Sequence, residues 1–395
     1  MIPRGSPDIG WGDLLAGLRD CLAPPPEEAA RAVAAAAGGS ASLACLSVRS
    51  GLDLILHALA LPAGSEVVVS AVTIPDMVSL LEHHRLVAVP VDLDMERLTV
   101  ELDALDRAVT PRTRAVLVAH LFGSLMDLGP IAALARRCGL LLLEDCAQAY
   151  DGRYAGHPES DVALFSFGPI KTSTALGGAI LRFRKPELLA RVRTLQAAYP
   201  AQPIGPYMRR VLVFMGLKAL AHPPALGALA TLCRLCGQSH DQLITRLLRG
   251  FPGPNLTARL RHRPSAPLLA MLARRLRQPA VEVVARRIAL ARAVAAALPE
   301  RQFVGAKAAH HTYWALPMVS ADPEALAREL WSAGIDASCS ASSLVVVAPP
   351  PGRAPAVCAT AVMGQLLYLP LHPALDAAAL RRMARLIDAF EGSQL

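Results

Sequence analysis

The sequence predicts an α/β fold, a mostly parallel sheet covered by helices, with a smaller α+β region after it. Three observations carry this. Apolar strand-like runs alternate with helix-like stretches from about residue 40 to 185, the pattern of a parallel sheet joined by helical crossovers. Polar residues able to do chemistry close several of those strands, namely His120, Asp145 and Ser166, where α/β sheets gather ligand groups. The length of 395 residues suits one large domain plus a smaller one, with ample core.

In chain order, strands are expected at 66–74, 87–93, 114–121, 139–145, 162–167 and 178–183, with helices between them at 51–61, 76–84, 102–108 and 128–138. After 280 comes a long Ala/Arg helix. It is followed by strands at 311–319 and 364–369 and helices at 323–333 and 375–391. The expected division is a large domain over 1–280 and a small C-terminal domain over 281–395. Ala23-Pro24-Pro25-Pro26 and Ala348-Pro349-Pro350-Pro351-Gly352 read as loops.

Composition narrows the partners. The net charge is +8, mostly from Arg scattered through helical stretches, and aromatics are only 4%. Nucleic-acid binding would want that charge clustered beside stacking rings, so no nucleic-acid partner is expected. Cys233-Arg-Leu-Cys236 has metal-type spacing but no second pair nearby, so no metal site is expected. The dispersed cysteines, and an N-terminus without a charged region leading into an apolar run, give a cytoplasmic enzyme as the expectation.

The richest segment is Asp161-Val-Ala-Leu-Phe-Ser166-Phe-Gly-Pro-Ile-Lys171, with Gly177-Gly178 after it and Glu144-Asp145-Cys146-Ala147-Gln148 before it. One apolar strand ends in an acid. The next ends in a serine, then comes a lysine, then a Gly-Gly turn. That order suits a pyridoxal 5′-phosphate site. Lys171 supplies the amine for a Schiff base, and Asp145 stabilises a protonated pyridine nitrogen. Ser166 gives the phosphate a hydroxyl.

These residues resemble the DegT/DnrJ/StrS family of pyridoxal-phosphate-dependent aminotransferases, whose pattern is an acid-Asp-x-Ala-Gln stretch, then Ser-Phe-x-x-x-Lys, then Gly-Gly. The resemblance implies a fold-type I transferase, with Lys171 as the internal-aldimine lysine, Asp145 as pyridinium partner, Gln148 near the phenolic oxygen and Ser166 on the phosphate. It extends to Ser50-Gly51-Leu52, Thr73-Ile74-Pro75, His120-Leu-Phe-Gly123 and Leu367-Tyr-Leu-Pro370. Where the family has Thr after Ser-Gly, this chain has Leu52, which leaves the backbone amides of Gly51 and Leu52 for the phosphate. Where it has an aromatic residue stacked on the ring, this chain has Ile74. The Glu commonly found before Gly-Gly is Leu176. Arg263 stands near the place from which the family reaches across a dimer to the partner's phosphate, which implies a homodimer.

The resemblance implies transfer of an amino group from an amino-acid donor, with glutamate expected, to a keto-sugar or other ketone or aldehyde. Residues 205–258 are longer than the family's equivalent and apolar around Pro223-Pro224, with Arg209, Arg210, Arg246 and Arg249 at the flanks. Lys218, His222 and the Pro pair interrupt any 20-residue apolar span. The segment is left open as a buried insertion, an active-site cover, a dimer element or a peripheral membrane contact. It shifts the acceptor towards an apolar or lipid-linked ketone. The competing reading is a catalytically degenerate homologue acting as a membrane-associated or partner-binding subunit. Retention of Lys171, Asp145, Gln148 and Ser166 together argues against it.

Overall fold

In the computed structural model, residues 2–5, 7–28, 31–32, 39, 41–220, 255–278, 280–299, 302–339 and 342–392 are described. The first strands are β1 (Ser42–Cys45), β2 (Glu66–Ser70), β3 (Val72–Thr73), β4 (Val87–Val91), β5 (Leu93–Asp94), β6 (Thr99–Val100) and β7 (Thr113–Ala119). Then come β8 (Leu141–Asp145), β9 (Val162–Ser166), β10 (Ala179–Phe183), β11 (Leu316–Val319), β12 (Val345–Val346) and β13 (Leu366–Leu369).

Seven of them form one sheet in the order β1-β10-β9-β8-β7-β2-β4. The pairs from β9 to β4 are parallel, while β10 runs antiparallel to both neighbours. Helices cover both faces, so the central strands are apolar on both sides rather than alternating. In β2, Val67 and Val69 enter one core together with Leu117, Leu143 and Leu164. Val68 enters the opposite one with Val116, Val118 and Leu142. A third core lies beyond the β9–β10 end, where Phe165 and Ile180 meet the helices Trp11–Leu22, Ile204–Leu220 and Ala266–Arg277.

The helix Val48–Leu59 starts at Ser47, whose Oγ accepts from Ser50 N–H at 3.1 Å as an N-cap. Gly51 lets it lie close to the sheet, since a Cβ there would sit 2.7 Å from the Leu181 side chain. Asp53, buried in that helix, accepts from His84 at 2.9 Å and from Arg261 at 2.9 and 3.1 Å. It thereby ties three segments of the chain together.

After residue 280, antiparallel β11 and β13 pack with the helices Val281–Ala297, Pro323–Ser332 and Ala377–Gly392 around Met318, Leu330, Leu367 and Ile387. Ile2, from the other end of the chain, joins this core. β12 pairs with β3, and Tyr368 packs into the core of the large sheet.

The expected strands and helices of the first 185 residues match these elements, with ends displaced by a few residues. Strand β1 and the helices Trp11–Leu22, Pro186–Ala197 and Ala266–Arg277 were not anticipated. Of the long 205–258 segment, the described part is the helix Ile204–Leu220 and the start of the short helix Leu256–Leu260. Tyr207, Val211 and Phe214 are buried in the third core. Pro223-Pro224, Cys233, Cys236, Arg246 and Arg249 lie outside the described residues. No described helix is long and apolar enough to cross a membrane.

Candidate active site

The carboxyl ends of the parallel strands open into a cleft of about 1230 Å³. Lys171, Asp145, Gln148, Ser166 and Ile74 all line it, as do Arg49, His120, Arg210, Trp314 and Tyr368. Asp145 ends β8 opposite Leu164 of the parallel neighbour β9, which ends two residues further on at Ser166.

Lys171 follows β9 in a loop that its own residues brace. Thr174 Oγ1 donates to Gly168 O at 2.6 Å, and the amides of Ala175 and Gly177 both donate to Phe167 O. Gly178 closes the loop at φ +83, where a Cβ would lie 2.6 Å from Leu272, so this turn needs glycine. From the amino-terminal segment, Asp8 Oδ2 accepts from Ser173 N–H at 2.6 Å. Arg287 donates to Thr172 Oγ1 at 3.2 Å and to Thr312 O at 2.8 Å, tying the loop to the helix Val281–Ala297.

The Lys171 ammonium sits 4.2 Å from the centroid of the Trp314 ring, and Trp314 Nε1 donates to Ile170 O at 3.0 Å. Burial lowers the Lys171 pKa from 10.5 to about 8. The Asp145 charge works against this, and the Arg49 charge adds to it. Burial pushes the Asp145 carboxyl up, opposed by the Ala147 N–H, which donates at 2.9 Å, and by the charge of Lys171. An amine that loses its proton readily therefore shares a cleft with a carboxylate.

Behind Asp145 lies a fully buried carboxylate, Glu144. It accepts from His120 Nε2 at 2.9 Å, from His157 N–H at 2.8 Å, from Ser160 Oγ at 2.8 Å, and from the Tyr154 hydroxyl. Burial opposes its charge, yet these donors hold its pKa down to about 2. Met126 N–H donates to His120 Nδ1 at 3.1 Å, so the ring proton is on Nε2 and points at Glu144. His120, Glu144 and Cys146 bring ligand-type atoms within 4.8 Å of one another. They are bonded among themselves, with Cys146 Sγ donating to Glu144 at 3.3 Å.

Gly51, Leu52 and Arg263 are not among the residues that line this cleft. The Gly51 N–H already donates to Ser47 O at 3.0 Å, one turn into its helix, and neither Gly51 nor Leu52 is among the lining residues. Leu52 is fully buried in the core. The amides that helix geometry leaves open at this end belong to Val48 and Arg49, and both residues line the cleft. Arg263 pairs with Glu27 at 3.1 Å and does not line the cleft of its own chain. Gln148 is buried, with its Oε1 accepting from Phe122 N–H at 2.7 Å.

Sequence reasoning missed Arg49, Arg210 and Trp314. Trp314 falls inside an expected strand of the small domain, and only the tertiary fold carries it over Lys171. Arg210 sits in the insertion, where it donates to Leu176 O at 2.8 Å beside the Gly177-Gly178 turn.

A seven-stranded, mostly parallel sheet with a lysine loop at its carboxyl edge is the fold of the fold-type I pyridoxal-phosphate-dependent transferases. Residues 24–210 match the model of the DegT/DnrJ/EryC1/StrS aminotransferase family. Erythromycin biosynthesis sensory transduction protein EryC1 of Saccharopolyspora erythraea is 40% identical over 161 residues, which are 38% of this chain and 43% of that protein. The L-glutamine:2-deoxy-scyllo-inosose aminotransferase of Micromonospora echinospora is 35% identical over 144 residues, 35% of this chain and 34% of that enzyme. The match thus spans less than half the length of either curated relative. The crystal structure of the aminotransferase TlmJ from Streptoalloteichus hindustanus superposes over 100% of both chains with a TM-score of 0.70 at 22% identity, a likeness of fold.

Proposed function

We propose that the chain is a pyridoxal-phosphate-dependent aminotransferase. In this reading it moves an amino group from an amino-acid donor, glutamate in the simplest case, to a ketone or aldehyde acceptor of the keto-sugar type. The observation that carries the reading is the pairing of Lys171, its pKa brought to about 8, with Asp145 in one cleft. The site fits the cofactor by the chemistry of its donors. Ser166 and the amides of Val48 and Arg49 suit a phosphate, Asp145 suits a protonated ring nitrogen, and the NH2 of Gln148 suits a phenolic oxygen. When bound, the cofactor supplies an aldehyde carbon and a cationic ring that takes up the charge left by a broken Cα–H bond.

The chain's own residues do the rest. Lys171, neutral in an appreciable fraction near neutral pH, provides the amine and, once released, takes a proton from the donor's Cα. Asp145, as an anion against the ring nitrogen, would keep that nitrogen protonated. Trp314 lies over the lysine and limits its approach to one face. Ile74 gives dispersion contact in place of a stacked ring. Arg263 is proposed to face the phosphate of the partner subunit in a homodimer.

The test is Lys171→Ala. It is expected to abolish the pyridoxal-phosphate absorbance of the protein and glutamate-driven amino transfer while the circular dichroism stays unchanged. A variant that turned over near the native rate would sink the assignment.

A further inference from the structure

The cleft is larger than the chemistry beside Lys171 requires. Pockets for drug-sized ligands run to roughly 300–1,000 Å³, and this one reaches about 1230 Å³. Two helix faces form part of its wall. One is Arg210, Phe214, Leu217 and Lys218 of Ile204–Leu220, spaced i, i+4, i+7, i+8. The other is Val283, Arg286, Arg287 and Leu290 of Val281–Ala297, spaced i, i+3, i+4, i+7. Helical periodicity puts each set on a single face.

The composition of those faces is selective. Each is apolar side chains and cations only, with no carboxylate, amide or hydroxyl. Sugar hydroxyls laid against Leu217 and Leu290 would lose water without gaining partners. An uncharged alkyl body would gain nothing from the cations. Across the whole cleft, seven basic side chains face four carboxylates among the described residues. Three of those carboxylates are engaged by arginines: Asp336 by Arg4, Asp8 by Arg275, and Asp76 by Arg49. The fourth is Asp145. Burial also lowers the Arg287 pKa to about 10, against the opposing charge of Asp8.

We propose that the part of the cleft walled by these two helices binds an amphiphilic anion, with Leu217 and Leu290 taking an apolar body and Lys218 and Arg286 a phosphate-type group. On the aminotransferase reading, on which this rests, the acceptor is a ketone carried on such an anion, its carbonyl end reaching Lys171. The helix Ile204–Leu220 is then a specificity element as well as part of the core.

The test is isothermal titration calorimetry on the pyridoxal-phosphate-loaded full chain, with octyl phosphate, inorganic phosphate, octyl glucoside and thymidine diphosphate as probes. Octyl phosphate should bind at least tenfold more tightly than inorganic phosphate or octyl glucoside. Leu217→Gln, a half-buried position, should weaken octyl phosphate at least fivefold and leave inorganic phosphate unchanged. Arg286→Gln, on the exposed rim, should weaken both. Pyridoxal-phosphate absorbance is recorded on the same samples. If the protein takes up cofactor but binds octyl phosphate no better than inorganic phosphate, or binds thymidine diphosphate more tightly, or shows no effect of Leu217→Gln, the inference is overturned and the aminotransferase reading survives. A protein that takes up no cofactor refutes that reading instead.

Discussion

The reactivity of Lys171 is the most direct consequence of the site's electrostatics. Burial takes its pKa from 10.5 to about 8, which disfavours the ammonium by about 3 kcal/mol. At pH 7.5 the neutral fraction then rises from about 0.1% to about 24%, roughly a 200-fold gain in reactive amine. The assay is capture of pyridoxal phosphate by the apoprotein, trapped with borohydride and read at Lys171 by mass spectrometry across pH 6–11. Capture should rise with pH, with its midpoint near 8. The neighbouring charges give a signed control. Arg49→Gln removes a cation that lowers the pKa, so the midpoint should move up. Asp145→Asn removes an anion that raises it, so the midpoint should move down. A midpoint near 10.5 in the native chain, or shifts of the opposite sign in the two variants, would refute the argument. The same drop has a stability side. The unfolded chain holds the extra proton between pH 8 and 10.5, so the apoprotein should gain stability as pH rises through that window.

Glu144 carries the reverse linkage. Its folded pKa is about 2 against 4.5, so its contribution is complete above pH 4.5 and is lost as pH falls towards 2, which denaturation midpoints across pH 2–6 will show. Glu144→Gln should flatten that acid limb and cost about 1–3 kcal/mol at pH 7, measured by urea unfolding. Gly178→Ala forces a Cβ 2.6 Å from Leu272 at φ +83. It should cost at least about 1 kcal/mol, and an unchanged unfolding midpoint would contradict the placement of that turn. Arg263→Ala should weaken pyridoxal phosphate in a dimer more than pyridoxal, which lacks the phosphate. Equal loss for both would remove its proposed phosphate role.

The fold was legible because its signals are long and local. Five-residue strands rich in Val and Leu, separated by helix-length stretches, leave few alternatives to a crossover sheet. Strand β1 was missed because it is four residues of Ser-Leu-Ala-Cys at the sheet edge, with no alternation and little β-branching to announce it. Lys171, Asp145, Gln148 and Ser166 could be brought to one place from sequence because each sits at or just beyond the end of an adjacent strand. Gly51 and Leu52, the expected phosphate amides, lie about one turn into the helix. Their neighbours Val48 and Arg49 hold the open amides, and which amides are open depends on where the helix begins. That start is set by a cap at Ser47, which the hydrophobic pattern does not report.

Trp314 and Arg210 belong to a different class. Neither lies within 30 residues of Lys171 in sequence, and each reaches the cleft through packing that has its own reasons. Trp314 stands just before β11, and its indole is fixed by a bond to Ile170 O. Arg210 sits between Tyr207 and Phe214, two side chains fully buried in the third core. The helix that first reads as an unexplained apolar insertion is therefore anchored by one face and available through another. Burial of Tyr207, Val211 and Phe214 fixes its rotation. That rotation turns Leu217 and Lys218 towards the cleft and leaves Leu212 and Arg209 outside. The apolar excess that suggested a membrane contact is, over the described residues, largely accounted for by a core on one side and a ligand-sized space on the other.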